Sequence, residues 1–152
     1  MNNVQDNQRE ATLAYLAGIL DGEGSFNIKY NKKTDVYFTC ISVGMTELPA
    51  IELMAETFGG KIRVESSGRN KDMYRWESNS AQKNTHVLEA VQPYVRVKKD
   101  QVLTLLECIS TIRSPGGGEP TTPETKQRRK ELYLKVKELH AAAPATTNRA
   151  NI

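Results

Sequence analysis

Apolar positions along this chain switch between two spacings, and the switches mark its elements. The run Leu13 to Leu20 predicts a helix that Gly22 and Gly24 can end. From Ser25 the period becomes two. Phe26, Ile28 and Tyr30 alternate with Asn27 and Lys29, NKKTD supplies a turn, and Val36, Phe38 and Cys40 alternate with Tyr37, Thr39 and Ile41, which predicts a hairpin. Helical spacing returns over Thr46 to Phe58, with Pro49 near its start, Ile51, Met54 and Phe58 on one face, and Gly59-Gly60 beyond its end. A second hairpin follows in KIRVESSGRNKDMYRWES, where Ile62 and Val64 oppose Lys61 and Arg63, SSGRNKD turns, and Met73 to Trp76 returns. Ala81 to Val91 carries a stripe of Val87, Leu88 and Val91 that Pro93 terminates. After a short YVRVKK connector, Asp100 caps a helix bearing Val102, Leu105, Leu106, Ile109 and Ile112. SPGGGEPTTP is a loop, and Thr122-Pro123 opens a last helix to about His140.

This order predicts an α+β fold: a four-stranded antiparallel sheet with helices packed on one face. With 152 residues the chain suits one core, placed here at 13–141, with a polar segment at 1–12 and a disordered tail at 142–152. The longest apolar stretch, Leu13 to Leu20, is far short of the roughly 20 residues a membrane span requires, so no membrane role is expected. MNNVQDNQRE lacks a secretory layout, and Cys40 and Cys108 have no metal-site or CxxC spacing. An intracellular, reducing location is expected, in the cytoplasm, the nucleoid or an organelle matrix.

Charge is unevenly distributed. Lys29, Lys32 and Lys33 outweigh Asp35 in the first hairpin, and Lys61, Arg63, Arg69, Lys71 and Arg75 outweigh Glu65, Asp72 and Glu77 in the second, whereas 44–60 holds Glu47, Glu52 and Glu56 without a Lys or Arg. The basic part is therefore the sheet, whose helix-free face is open to a ligand. Outward candidates are Lys29, Lys32, Lys33 and Tyr37 from the first hairpin and Arg63, Arg69, Lys71 and Arg75 from the second, joined by Arg96 from the basic connector. Trp76 is assigned to the core, as a lone Trp is usually largely buried. A two-stranded ribbon fits the major groove of DNA, where Arg and Lys read guanine, while loop-tip lysines more often touch phosphates.

The stretch LAYLAGILDGEGSF, Leu13 to Phe26, carries the chemistry. Ala14, Gly18 and Gly22 recur every four residues with Ala17 beside them, leaving a helix face almost without side chains, against which a second helix can pack at backbone contact distance. That helix can belong to the same chain. Asp21 and Glu23 stand at the helix C-terminus, the negative end of the macrodipole, at a cost of roughly 0.3–1 kcal/mol. A divalent cation would compensate, since carboxylate and terminal carbonyl oxygens are hard ligands suited to Mg²⁺. A solvated DG turn with a salt bridge is the alternative. His86 and His140 are the only histidines, leaving little material for a histidine-metal or Ser-His site, and Gly116-Gly117-Gly118 precedes no GK[ST] and is not a phosphate cradle.

Leu16-Ala17-Gly18-Ile19-Leu20-Asp21-Gly22-Glu23-Gly24, continued by Ser25-Phe26, resembles the signature of the LAGLIDADG homing endonucleases at all nine positions. The helix, hairpin, helix, hairpin, helix order resembles that family's αββαββα core, and the similarity spans Leu13 to Ile112. The resemblance implies a saddle-shaped sheet that binds double-stranded DNA, with further helices appended at the C-terminus. One motif is present, so the resemblance implies a homodimer through the LAGLIDADG helices, with Ala14, Ala17, Gly18 and Asp21 at the interface and a near-palindromic site. The implied activity is metal-dependent phosphodiester hydrolysis of both strands, leaving short 3′ overhangs.

Carried over by position, Glu23 is the metal-binding carboxylate and Gly22 offers its carbonyl to the same cation. The cofactor implied is Mg²⁺, with Mn²⁺ or Ca²⁺ able to occupy the site and Ca²⁺ without turnover. Asp21 caps the neighbouring helix end across the interface, with direct ligation as the alternative. Lys98 matches the basic residue near the scissile phosphate, or Lys99 if the register slips by one. Met45 falls where better-known members have a water-positioning glutamine, a departure that leaves Thr46 or Ser42 as substitutes. Some proteins of this family act as RNA maturases, which makes intron RNA a second partner, and others keep the fold to bind DNA without cutting it.

Overall fold

A computed structural model describes residues 3–66, 68, 71–112 and 121–142. The elements run α1 (Asn3–Glu23), β1 (Gly24–Asn31), β2 (Val36–Met45), α2 (Leu48–Phe58), β3 (Lys61–Glu65), β4 (Met73–Ser78), α3 (Ala81–Val91), α4 (Lys99–Ser110) and α5 (Pro123–Ala142). The four strands form one antiparallel sheet in the order β1-β2-β4-β3, an α+β architecture. The hairpins thus meet through β2 and β4, leaving β1 and β3 as edges. No helix among the described residues is long and apolar enough to cross a membrane.

Two features differ from expectation. First, α1 begins at Asn3 rather than at Leu13, so the polar segment 1–12 is largely continuous with it. Residues 3–11 are all exposed and contain neither Gly nor Pro. The packed half nucleates the helix and the polar half propagates it, which costs little and leaves no hydrophobic pattern. Second, the phase of β2 is opposite to that assumed for Tyr37. Tyr37, Thr39, Ile41 and Val43 face the helices and are buried, whereas Val36, Phe38 and Cys40 lie on the other face, opposite Asn31, Lys29 and Asn27. Both sets of β2 positions are largely apolar, so alternation alone leaves the phase open. The rings of α5 and β1 decide it: Tyr37 packs 5.5 Å from Tyr133 and 4.6 Å from Tyr30 between ring centroids.

The core lies between the sheet and the helices, with Leu16, Leu20, Phe26, Ile41, Ile51, Met54, Trp76, Leu88 and Leu105 fully buried. Trp76 is core, as expected, and its indole N–H donates to the Gly59 carbonyl at 2.6 Å. Gly59 and Gly60 have φ of 74° and 89°, and a Cβ on Gly60 would stand 2.6 Å from that indole nitrogen, so the α2–β3 turn over Trp76 requires glycine. The SPGGGEP stretch (114–120), Arg69 in the second turn and residues 143–152 of the expected tail lie outside the described residues, while Ala142 ends α5.

Candidate functional site

The end of α1 meets the segment before α4. α1 runs to Glu23 and β1 starts at Gly24 without a spacer, so the chain changes direction at one residue. A Cβ on Gly24 would stand 2.6 Å from the Leu20 carbonyl oxygen and 2.7 Å from its Cα, which makes glycine obligatory there. The turn leaves the last carbonyls of α1 without intrahelical donors. Lys98 meets that need: its ammonium donates to the Gly24 carbonyl at 2.6 Å and to Leu20 at 3.4 Å.

Asp21 points the other way. Its carboxylate accepts from the backbone N–H groups of Arg96 at 2.8 Å, Val97 at 3.1 Å and Lys98 at 2.9 Å. Burial works to raise its pKa, but these three bonds and the Lys98 charge outweigh it and hold the carboxyl below its ordinary value. Asp21 therefore has a structural role, but within its own chain: it secures the 96–98 segment rather than a neighbouring helix end. Burial pushes the Lys98 ammonium below its usual value, opposed by the charges of Asp21 and Glu23. Two of its three donors are engaged by these carbonyls.

Glu23 and Gly22 are exposed at this end of α1, and a Cβ on Gly22 would meet nothing within 4 Å. With Asp21 committed to backbone amides, Glu23 is the carboxylate that this end of α1 leaves available. Among the described residues no group of three His, Cys, Asp or Glu side chains could hold a metal ion. The donor set of one chain is a single carboxylate plus a helix-terminal carbonyl. Those are hard oxygen donors that fit Mg²⁺ chemically, but too few to make a closed site, as suits an ion that completes its shell with water and phosphate oxygens.

The stripe beside this site divides. Ala14, Gly18 and Gly22 are exposed, and Gly18 also has open space around it, whereas Ala17 is fully buried in its own core and cannot line an external interface. Exposed Tyr15 stands next to the stripe. Met45 occupies the helix-side register of β2, beside Val43, and packs partly buried against the core. Ser42, on the other face opposite Glu77, remains a candidate, as does exposed Thr46. Lys99 is exposed at the start of α4, and among the described residues no polar partner ties it to the α1 end.

On the helix-free face of the sheet stand Ser25, Asn27, Lys29 and Asn31 of β1, Ser42 and Gly44 of β2, Arg75 and Glu77 of β4, and Lys61, Arg63 and Glu65 of β3. Lys32 and Lys33 are exposed in the turn after β1, and Lys71 precedes β4, also exposed. Arg96 is exposed while its backbone is held by Asp21. Tyr37 leaves the set. Sequence reasoning missed the carboxylate of Glu77 amid this face and the clamp by Asp21, since both depend on residues distant in the chain.

No protein-family model matches the chain, and no curated relative matches it by sequence. Solved structures do. The homing endonuclease I-CvuI, in complex with the I-CreI target, superposes with a TM-score of 0.74 at 20% identity over 87% of this chain and 83% of that one. The archaeal intron-encoded homing endonuclease I-Vdi141I, complexed with DNA, gives 0.70 at 20% identity over 88% and 85%. The I-SmaMI LAGLIDADG homing endonuclease, bound to cleaved DNA, gives 0.62 at 21% identity over 88% of this chain but 48% of its own. Four antiparallel strands in this order, helices on one face and the nine-residue motif closing α1 together give this chain the fold of the LAGLIDADG homing endonucleases.

Proposed function

We propose that the protein is a site-specific DNA endonuclease that works as a homodimer, pairing two α1 helices through Ala14, Gly18 and Gly22 and placing two Glu23 carboxylates side by side. The observation that carries this reading is the division of labour at the end of α1: Asp21 is consumed in holding residues 96–98, while Glu23 is left exposed beside a bare helix face. Among the described residues one chain has too few ligands for a closed metal site, and two chains would supply a pair of carboxylates. This chain's match covers 48% of the I-SmaMI chain.

In that assembly Glu23 and the Gly22 carbonyl would hold Mg²⁺, which when bound supplies an activated water and charge stabilisation at the scissile phosphate. Lys98, anchored on the Gly24 carbonyl, presents its remaining N–H towards developing negative charge, and its fixed position removes the need to reorganise during reaction. Asp21 keeps Lys98 there by fixing its backbone. Outward basic residues of the sheet hold the duplex. Incubating the protein with Mg²⁺ and a library of duplex DNA, then sequencing cut ends, tests this: cutting at one long near-palindromic site is expected. No cutting, with salt-dependent binding to a structured intron RNA, would overturn it in favour of a maturase.

A further inference from the structure

The open face of the sheet carries its charge in two different ways. In the first hairpin, Lys32 and Lys33 are exposed in the turn. In the second, Lys61, Arg63 and Glu65 of β3 stand opposite Glu77, Arg75 and Met73 of β4. Arg63 and Arg75 are direct cross-strand partners, a like-charge pairing that by itself destabilises a sheet. Each is instead tied on the diagonal to an acid: Arg63 Nη2 lies 3.2 Å from Glu77 Oε2, and Arg75 Nε lies 2.9 Å from Glu65 Oε1.

Glu77 gathers partners from every other strand. Besides Arg63 of β3, Lys29 Nζ of β1 is 3.9 Å from Oε1 and the Cys40 thiol of β2 donates to the same oxygen at 3.4 Å. Burial pushes that thiol up to about 11, so it stays a donor. The Arg75 guanidinium lies over Gly44, where a Cβ would come within 3.1 Å of Nη2 and 3.2 Å of Cζ. A surface built only to attract phosphates gains nothing from two carboxylates among its cations. What they supply is orientation, since an Arg held at one nitrogen keeps the rest of its donor fork free and aimed.

Resting on the DNA-binding reading above, we propose that Glu65 and Glu77 are positioning residues that hold Arg75 and Arg63 to read guanines in the major groove. The second hairpin then selects sequence, while the lysines of the first supply the salt-dependent grip. The test is selection of duplexes from a randomised library by the full chain, followed by salt titration on the selected site. Glu77→Gln and Glu65→Gln should each lose preference at specific guanine positions by about tenfold, the lower end of what a bidentate contact discriminates, with undiminished affinity for bulk duplex. Arg63→Ala and Arg75→Ala should lose preference at those same positions. Lys32→Ala and Lys33→Ala should weaken all sequences alike and lower the salt slope by about one each. An unchanged base profile in both acid variants, with uniformly tighter binding, would overturn the proposal and leave DNA binding intact. Absence of salt-dependent duplex binding by the unaltered protein would overturn the DNA reading itself.

Discussion

Glu23 and Asp21 are two residues apart and do different things because of where α1 ends. Asp21 faces the 96–98 backbone, and Glu23, the last residue of α1, is exposed. The sequence displays both acids but not their assignment, which depends on a segment some 75 positions later. Asp21→Asn should cost roughly 1–2 kcal/mol near neutral pH, allowing for the site's partial exposure. Because the folded pKa of Asp21 is depressed, its contribution is complete above the unfolded value of about 3.9 and is lost as pH falls through the folded one. Denaturant unfolding at several pH values should therefore show the gap between the two proteins constant above about pH 5 and shrinking below pH 4. Gly24→Ala should destabilise by about 1–3 kcal/mol in the same assay, since the backbone atoms it meets cannot move aside.

Among the elements, α3 begins and ends where its apolar stripe and Pro93 place it, and α2, α4 and α5 lie within two residues of expectation. These helices carry strong stop signals. Less legible were the polar start of α1, which buries nothing, and the facing of β2, where Tyr37 and Phe38 are equally plausible inward residues. Tyr133 of α5 settles the second question through a contact between residues nearly a hundred positions apart. Truncating Tyr37 to Ala should then cost about 3 kcal/mol in thermal or chemical unfolding, while Tyr37→Phe, which keeps the ring, should be close to neutral. A Tyr37→Ala protein of undiminished stability with impaired DNA binding would instead restore it to the open face.

As a whole, the molecule separates its tasks by face. Five helices bury one side of the sheet, and the side opposite collects Lys29, Arg63 and Arg75 with their acids. The basic sheet was legible in the local charge of each hairpin, and the motif in nine consecutive residues. The network around Glu77 was not, because it draws one residue from each of four strands. In the proposed reading, the bare stripe on α1 and the Glu23 carboxylate give each chain half of a metal site, which two paired chains complete. The measurement that tests this reading most directly compares the protein with Glu23→Gln on its selected duplex, scoring dimerisation, binding and Mg²⁺-dependent cutting in parallel. The variant is expected to dimerise and bind like the original and to cut neither strand. A variant that still cuts would contradict this reading.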